Sequence, residues 1–323
     1  MHLTIGRRQA IAGGLAAALA RPALAQPRYP DRPIRVIVPW TPGGATDVQM
    51  RSVCELASRH LGQPVVVENK PGASGTLGAQ HLWREAKPDG YTLSQMANNV
   101  FRMPAMSQRP LWDPVNDFTW IIRLVGYMGG VVVRPDAPWQ TMQQLIAHAK
   151  ANPGTINYGT PGANTTEVQM QTLAKQAGID WVPIAFRGAA PNLQALLGNN
   201  IHFSAETSAW ADMVLEGRLR CLAVWMTERA ARFPNVPTFR EIGHDVVGES
   251  AYGIAGPKGM DPEIVQVIHD AFHKAVTDPQ HLAVLARFDM PVRYLNTADF
   301  HKDVIRQAEE ARRVVQELGL RIN

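Results

Sequence analysis

Ile34-Arg35-Val36-Ile37-Val38-Pro39-Trp40-Thr41-Pro42-Gly43-Gly44-Ala45-Thr46-Asp47 holds, in order, an apolar run, a proline stop, a glycine-bearing loop and a helix start. The run 34–38 reads as a strand buried on both faces. Pro39 ends it, and Thr46 or Asp47 is placed to cap a helix reaching about residue 61. The same signals recur downstream: a strand at 65–68, a loop at 69–75, a helix over 76–86, and a Pro88-Asp89-Gly90 turn into a strand at 91–96. Strand, helix, strand, helix, strand with short connections predicts a parallel sheet with helices on both faces.

A second unit of the same kind follows. Residues 156–159, 181–186, 201–205 and 220–225 read as strands, with helices over 166–177 and 191–197 between them. Residues 118–133, long and mostly apolar but interrupted by Gly126 and Gly129-Gly130, are suited to run from one sheet into the other. Pro234-Asn235-Val236-Pro237 is a stiff return connection, and the tail carries helical patterns over 262–277 and 297–318. A chain of 323 residues suits two cores better than one.

Residues 1–25 stand apart. Arg7 and Arg8 form a basic head, 11–20 is weakly apolar and far short of a membrane span, and Ala23-Leu24-Ala25 has the form of a signal-peptidase site. The adjacent arginines point to twin-arginine export, with an ordinary Sec signal as the alternative. Either route places the mature protein in the periplasm. This leader holds three Arg and no acid, so the whole-chain charge of +4 falls to about +1 without it. No polybasic surface for nucleic acid or a membrane remains. Cys54 and Cys221 both sit in apolar segments and read as buried free thiols.

Ligands of open α/β sheets bind beyond the carboxyl ends of the strands, and glycine-rich, hydroxyl-bearing loops stand there in both units. Gly43-Gly44 before a helix lets backbone N–H groups converge on an anion, and Gly72-Ala73-Ser74-Gly75 and the loop from Thr160 to Thr165 repeat the device. Such loops also serve as plain tight turns, but their number favours a carboxylate cleft. Asn98, just past the third strand, is placed to donate an amide to a carboxylate, and Trp210 and Trp225 are candidates for an aromatic wall. The Gly72–Gly78 stretch lacks both the dinucleotide and the P-loop pattern, so no cofactor is expected.

Catalytic chemistry finds little support. Ser74 has no nucleophile-elbow context and no assignable base. His269 and His273 share the i, i+4 spacing of a zinc pair, but no third ligand is evident and both fall at the polar margin of their helix, which reads as solvated. No catalytic and no metal residue is expected, and a carboxylate-acting hydrolase or lyase is the weak alternative.

The chain resembles the Bug family, the TctC-like solute receptors of tripartite tricarboxylate transporters. Tyr29-Pro30-Asp31-Arg32-Pro33-Ile34 leading into Val38-Pro39-Trp40-Thr41-Pro42-Gly43-Gly44 carries the likeness. So do Val67-Glu68-Asn69-Lys70-Pro71-Gly72-Ala73, Lys87-Pro88-Asp89-Gly90-Tyr91-Thr92-Leu93, Asn157-Tyr158-Gly159-Thr160 and Asn235-Val236-Pro237-Thr238. The resemblance implies a two-domain α/β periplasmic-binding-protein fold of the Venus flytrap type (type II), with strands crossing between domains. The expected division is 28–125 plus 248–323 for domain 1 and 126–247 for domain 2. It implies that the loops Thr41-Pro42-Gly43-Gly44 in one lobe and Thr160–Thr165, with Gly162 and Asn164, in the other hold the ligand; Trp40, Ser74 and Asn98 are further expected contacts read from their positions beside these loops. It also implies hand-off of a small carboxylate to membrane permease subunits; an orphan sensing receptor is the competing class, and the protein is expected to be a monomer. Glu206 stands where many members carry Asp. Facing the cleft it would repel a carboxylate and hold a hydroxyl or ammonium; otherwise it is a solvated rim residue or a cap.

Overall fold

A computed structural model describes residues 29–162, 165–248 and 250–321; the export signal expected at 1–25 and Asn164 lie outside them. Strands β1 (Ile34–Val38), β2 (Val65–Asn69) and β3 (Thr92–Met96) are joined by helices α1 (Ala45–Leu61) and α2 (Leu77–Arg84). They pair in parallel with β1 in the middle, setting Val36 opposite Val67 and Leu93. Ile34, Val36, Ile37 and Val38 have no solvent exposure, as a strand covered on both faces requires. Burying each such side chain contributes about 1.5–3 kcal/mol.

Two further elements follow: α3 (Asn99–Met106), with Pro104 inside it, and the ten-residue β4 (Phe118–Tyr127). Met128 links β4 to β5 (Gly129–Val133), and there the chain leaves the first sheet for the second. Next come α4 (Met142–Ala151), closed by a Thr141–Gln144 capping box, then β6 (Asn157–Thr160), α5 (Thr165–Ala177) and β7 (Val182–Ala185). The unit is completed by α6 (Ala189–Leu197), β8 (Phe203–Thr207), the short α7 (Ala211–Leu215) and β9 (Arg220–Val224). The chain then returns to the first sheet with β10 (Ser250–Pro257), α8 (Pro262–Val276), α9 (Pro279–Arg287), β11 (Val292–Leu295) and α10 (Thr297–Leu318).

The first sheet has the order β11-β4-β10-β3-β1-β2 and the second β7-β6-β8-β5-β9. Neither is wholly parallel, which corrects the expectation from the alternating pattern. β10 runs antiparallel between β3 and β4, and β5 runs antiparallel between β8 and β9. The parallel expectation holds for the βαβ segments; β5 and β10, each entering from the other lobe, run antiparallel to both neighbours, and the edge strand β11 runs antiparallel to β4. Helices cover both faces of the first sheet. α1, α8 and α9 pack on one side, and α10 buries Phe300, Val304, Ala308, Ala311 and Val315 with α3 on the other, a spacing of three and four that keeps one helix face inward.

The second crossing lies beside the first. Trp225 N–H donates to the Gly129 carbonyl (3.2 Å), and Gly248 N–H donates to the Trp225 carbonyl (3.0 Å). A Cβ on Gly129 would overlap the Trp225 indole, so glycine is needed for this close approach. Cys54 and Cys221 are buried and free, as expected.

Candidate functional site

Against these crossings, between the two sheets, lies a cavity lined from the first sheet's side by Trp40, Thr41, Gly44, Ala97 and Tyr127, and from the other by Thr165, Gly188, Glu206, Thr207 and Trp225. Its volume is about 40 Å³, space for about three waters at roughly 10–15 Å³ each, so the cleft is nearly shut.

Three helices start at its wall. Gly44 is the N-cap of α1 and Gly188 the N-cap of α6, neither with a side-chain hydrogen bond to the helix, and α5 starts at Thr165. The first amides of a helix have no partner within it, and their aligned dipoles favour an anion there. Thr41 adds a buried hydroxyl with no hydrogen-bond partner. Gly188, at φ +147°, leaves room for it: a Cβ there would lie 2.6 Å from Thr41 Oγ1 and 3.1 Å from its amide nitrogen. The loop differs from expectation in one respect. Gly43 N–H donates to Asp47 Oδ2 (2.9 Å), so this amide is engaged and does not point at the cavity, and Asp47 braces the loop instead of capping α1. Burial pushes the Asp47 carboxyl upward, but hydrogen bonds from Gly43 N–H, Arg51 and Asn69 outweigh it and hold the pKa below the usual carboxylate range.

The walls are aromatic. Trp40 donates its Nε1–H to Gln95 Oε1 (3.2 Å), and its ring packs where Gly75, at φ +78°, has no side chain. Tyr127 stacks on Tyr252 with centroids 4.6 Å apart, and its hydroxyl meets Thr46 Oγ1 at 2.6 Å. Trp225 closes the side at the crossing strands; Trp210 is fully buried behind the wall and donates its Nε1–H to the Glu206 carbonyl (3.1 Å).

Glu206 is 2% exposed and lines the cavity, so it is neither a rim residue nor a helix cap. Its Oε1 accepts from the Thr207 amide (2.8 Å) and hydroxyl (3.1 Å), and its Oε2 from Asn192 Nδ2 (3.0 Å). Burial dominates, and the pKa is pushed up to about 7 even though those donors favour the ionised form.

Of the residues expected at the site, Trp40, Thr41, Gly44, Thr165 and Glu206 share the cavity wall. Pro42, Gly43, Ser74, Asn98, Thr160 and Gly162 do not line it. Asn98 Nδ2 donates to Thr165 Oγ1 (3.2 Å), tying the start of α3 to the start of α5 across the cleft. Ser74, at φ +50°, reaches toward Gly162, where an added Cβ would come within 2.6 Å of Ser74 Oγ. Thr160 Oγ1 is buried against Thr166 Oγ1 and the Gly162 amide, both at 3.4 Å. Tyr127, Ser250 and the Gly188-Ala189 start of α6 escaped the sequence reading. Gly188 gave a faint signal, a lone glycine just after the strand at 181–186. Tyr127 and Ser250 come to the cavity only through the crossing of strands.

The histidine pair behaves differently from expectation. His269 is 7% exposed, not solvated, because β11 covers it: its Nε2 lies 3.1 Å from the Tyr294 hydroxyl and its Nδ1 2.9 Å from Asp270 Oδ1, while His273 stacks on the Tyr294 ring. Among the described residues no group of three or more His, Cys, Asp or Glu is arranged to hold a metal ion.

Two α/β lobes joined by crossing strands around a cavity of free helix N-termini define the class of bilobed solute-binding proteins. Within it, the chain belongs to the tripartite tricarboxylate transporter family of receptors, whose model matches residues 49–320. It is 45% identical over 323 residues to the "UPF0065 protein in gbd 5'region" of Cupriavidus necator, covering 97% of this chain and 98% of that one. It is 32% identical over 284 residues to the protein BugT of Bordetella pertussis, covering 84% and 83%. Among solved structures, the periplasmic binding protein BugD superposes with a TM-score of 0.86 at 26% identity, covering 91% of this chain and 99% of that one.

Proposed function

We propose that this chain is a periplasmic receptor, not an enzyme, that captures a small carboxylate between its lobes and delivers it to the membrane subunits of a tripartite transporter. The observation that carries the reading is the convergence of the α1 and α6 N-termini, both without side-chain caps, on one cavity with the unpartnered Thr41 hydroxyl between them. Backbone donors at about 1.5–3 kcal/mol per charge-assisted bond supply much of the roughly 8 kcal/mol of a micromolar complex without any Arg or Lys. The carboxylate sits on Thr41, Gly44, Gly188 and Thr165, with Trp40 and Trp225 against its carbon skeleton. The lobes are those expected from the sequence, 28–125 with 248–323 and 126–247, except that β4 carries residues 126 and 127 in the first sheet; they close about 118–133 and 234–247, and the receptor works as a monomer. The leader at 1–25, twin-arginine or Sec, takes it to the periplasm.

Thermal unfolding of the mature protein against a panel of carboxylates tests this. A specific ligand at a thousandfold excess over Kd stabilises by about 4 kcal/mol, a shift of several degrees. Shifts confined to a few related acids are expected. Turnover of any of them would bring the hydrolase or lyase reading forward.

A further inference from the structure

Glu206 is a carboxylate on the wall of a cavity whose described lining includes no Lys, Arg or His. Its three hydrogen bonds all come from neutral donors, and no described cation pairs with it. The elements packed around it add no compensating charge. β5 presents Gly130 opposite it, α6 presents Asn192, Trp210 takes its main-chain oxygen, and β4 contributes the Tyr127 phenol, whose own titration lies far above neutrality. A buried carboxylate without a counter-charge is costly. Here it is also held fixed, both oxygens oriented by donors behind them. The anion-favouring groups of the cavity, Thr41 and the N-termini of α1 and α6, share its lining with Glu206, which α6 meets through Asn192, about one turn in from that N-terminus. The cavity therefore sets groups that favour one carboxylate against an acidic wall that repels a second.

Resting on the carboxylate-receptor reading, we propose that Glu206 makes this receptor selective for carboxylates that carry a hydrogen-bond-donating group, an ammonium first and a hydroxyl second, and against dicarboxylates. An ammonium supplies the charge that Glu206 lacks. A hydroxyl donates to it without neutralising it. A second carboxylate enters only if a proton bridges the two acids, so its binding takes up a proton. The sign of the pH dependence follows. With Glu206 titrating near 7, lowering the pH from 8 to 6 weakens an ω-amino acid and strengthens a dicarboxylate.

The test is calorimetric titration of the ligand-stripped mature protein with length-matched series of three to six carbons: ω-amino, ω-hydroxy, unsubstituted and α,ω-dicarboxylates. At pH 8, at the best-fitting length, the ω-amino acid is expected to bind at least tenfold tighter than the dicarboxylate, with the gap narrowing at pH 6. Glu206→Gln is expected to bring the two within about threefold. A dicarboxylate bound most tightly by the wild type at pH 8, or a ranking that Glu206→Gln leaves intact, overturns the role of Glu206 while the carboxylate receptor stands. Binding of none of the four series at any length overturns the receptor reading and this inference together. Should Glu206→Gln not fold, the opposed pH trends in the wild type decide alone: parallel trends for amino acid and dicarboxylate overturn the proposal.

Discussion

Glu206 also leaves a mark on stability. In the unfolded chain it titrates as an ordinary glutamate near 4.3; in the folded protein burial raises this to about 7. Between the two values the folded state binds more protons than the unfolded, so the contribution of Glu206 to stability is fully present below about pH 4 and declines as pH rises to about 7. The loss is on the order of a few kcal/mol. Glu206→Gln removes this slope. The amide oxygen still accepts from Thr207, and a flipped Asn192 presents its Oδ1, which has no partner in the native protein, to the new NH₂. Chemical denaturation at pH 5 and pH 8 checks this: the variant is expected to be more stable than wild type at pH 8 by a few kcal/mol and to differ little at pH 5. The residue was visible in the sequence as an acid at a strand end. Its burial was not, because that depends on Asn192 and Tyr127, brought to it by α6 and by the crossing strand.

Helix starts decide the rest of the site. Gly44 has extended backbone (φ −75°, ψ 166°), and a Cβ there would meet only ordinary contacts, Ala189 Cβ at 3.7 Å and the Thr41 carbonyl at 3.9 Å. Nothing steric forbids a side chain. Asp is a better N-cap than Gly by a few tenths of a kcal/mol, so Gly44→Asp is expected to leave the ligand-free melting temperature unchanged or slightly raised. It also places a carboxylate where the ligand's belongs, and ligand-induced stabilisation should disappear. A variant that still shows the full ligand shift would move the anion site away from α1. At this scale the sequence was most legible for βαβ segments, where glycine, proline and apolar periodicity agree: α10 begins and ends where the pattern placed it, at 297 and 318. α3 was hidden by Pro104, β10 by the strand-weakening Gly253 and Gly256 inside it, and β11 by its length of four residues.

The whole molecule is described with its cleft nearly shut, at about 40 Å³, too small to admit an organic acid from solvent without opening. Opening must part Asn98 and Arg102 from Thr165 and Lys175 from the Glu317 carbonyl, while Ser208, Asp212 and Arg232 hold residues 287–289 from the other lobe. Small-angle scattering of the ligand-stripped protein is expected to show a radius of gyration above that of the closed form, contracting when a ligand found by thermal shift is added. An unchanged radius would mean the lobes are fixed and the ligand enters by another route. The two-lobe plan was foreshadowed by the Gly-interrupted stretch 118–133, which runs from β4 into β5. Strand direction was not foreshadowed, since residues 250–257 give no local hint of the two strands they come to lie between.

That placement of β10 sets an order of assembly. All five strands of the second sheet lie between residues 129 and 224, so that sheet has its whole complement while the C-terminal third of the chain is still missing. The first sheet at that moment consists of two separate pieces, β1–β3 and β4, with a gap where β10 belongs. Closing it joins residues about 120 to 160 positions apart, the kind of distant pairing that slows folding. The lobe whose synthesis begins first is thus the last to be finished, and a chain stopped before residue 250 carries the exposed apolar edges of β3 and β4, a species that needs guarding against aggregation until its tail arrives.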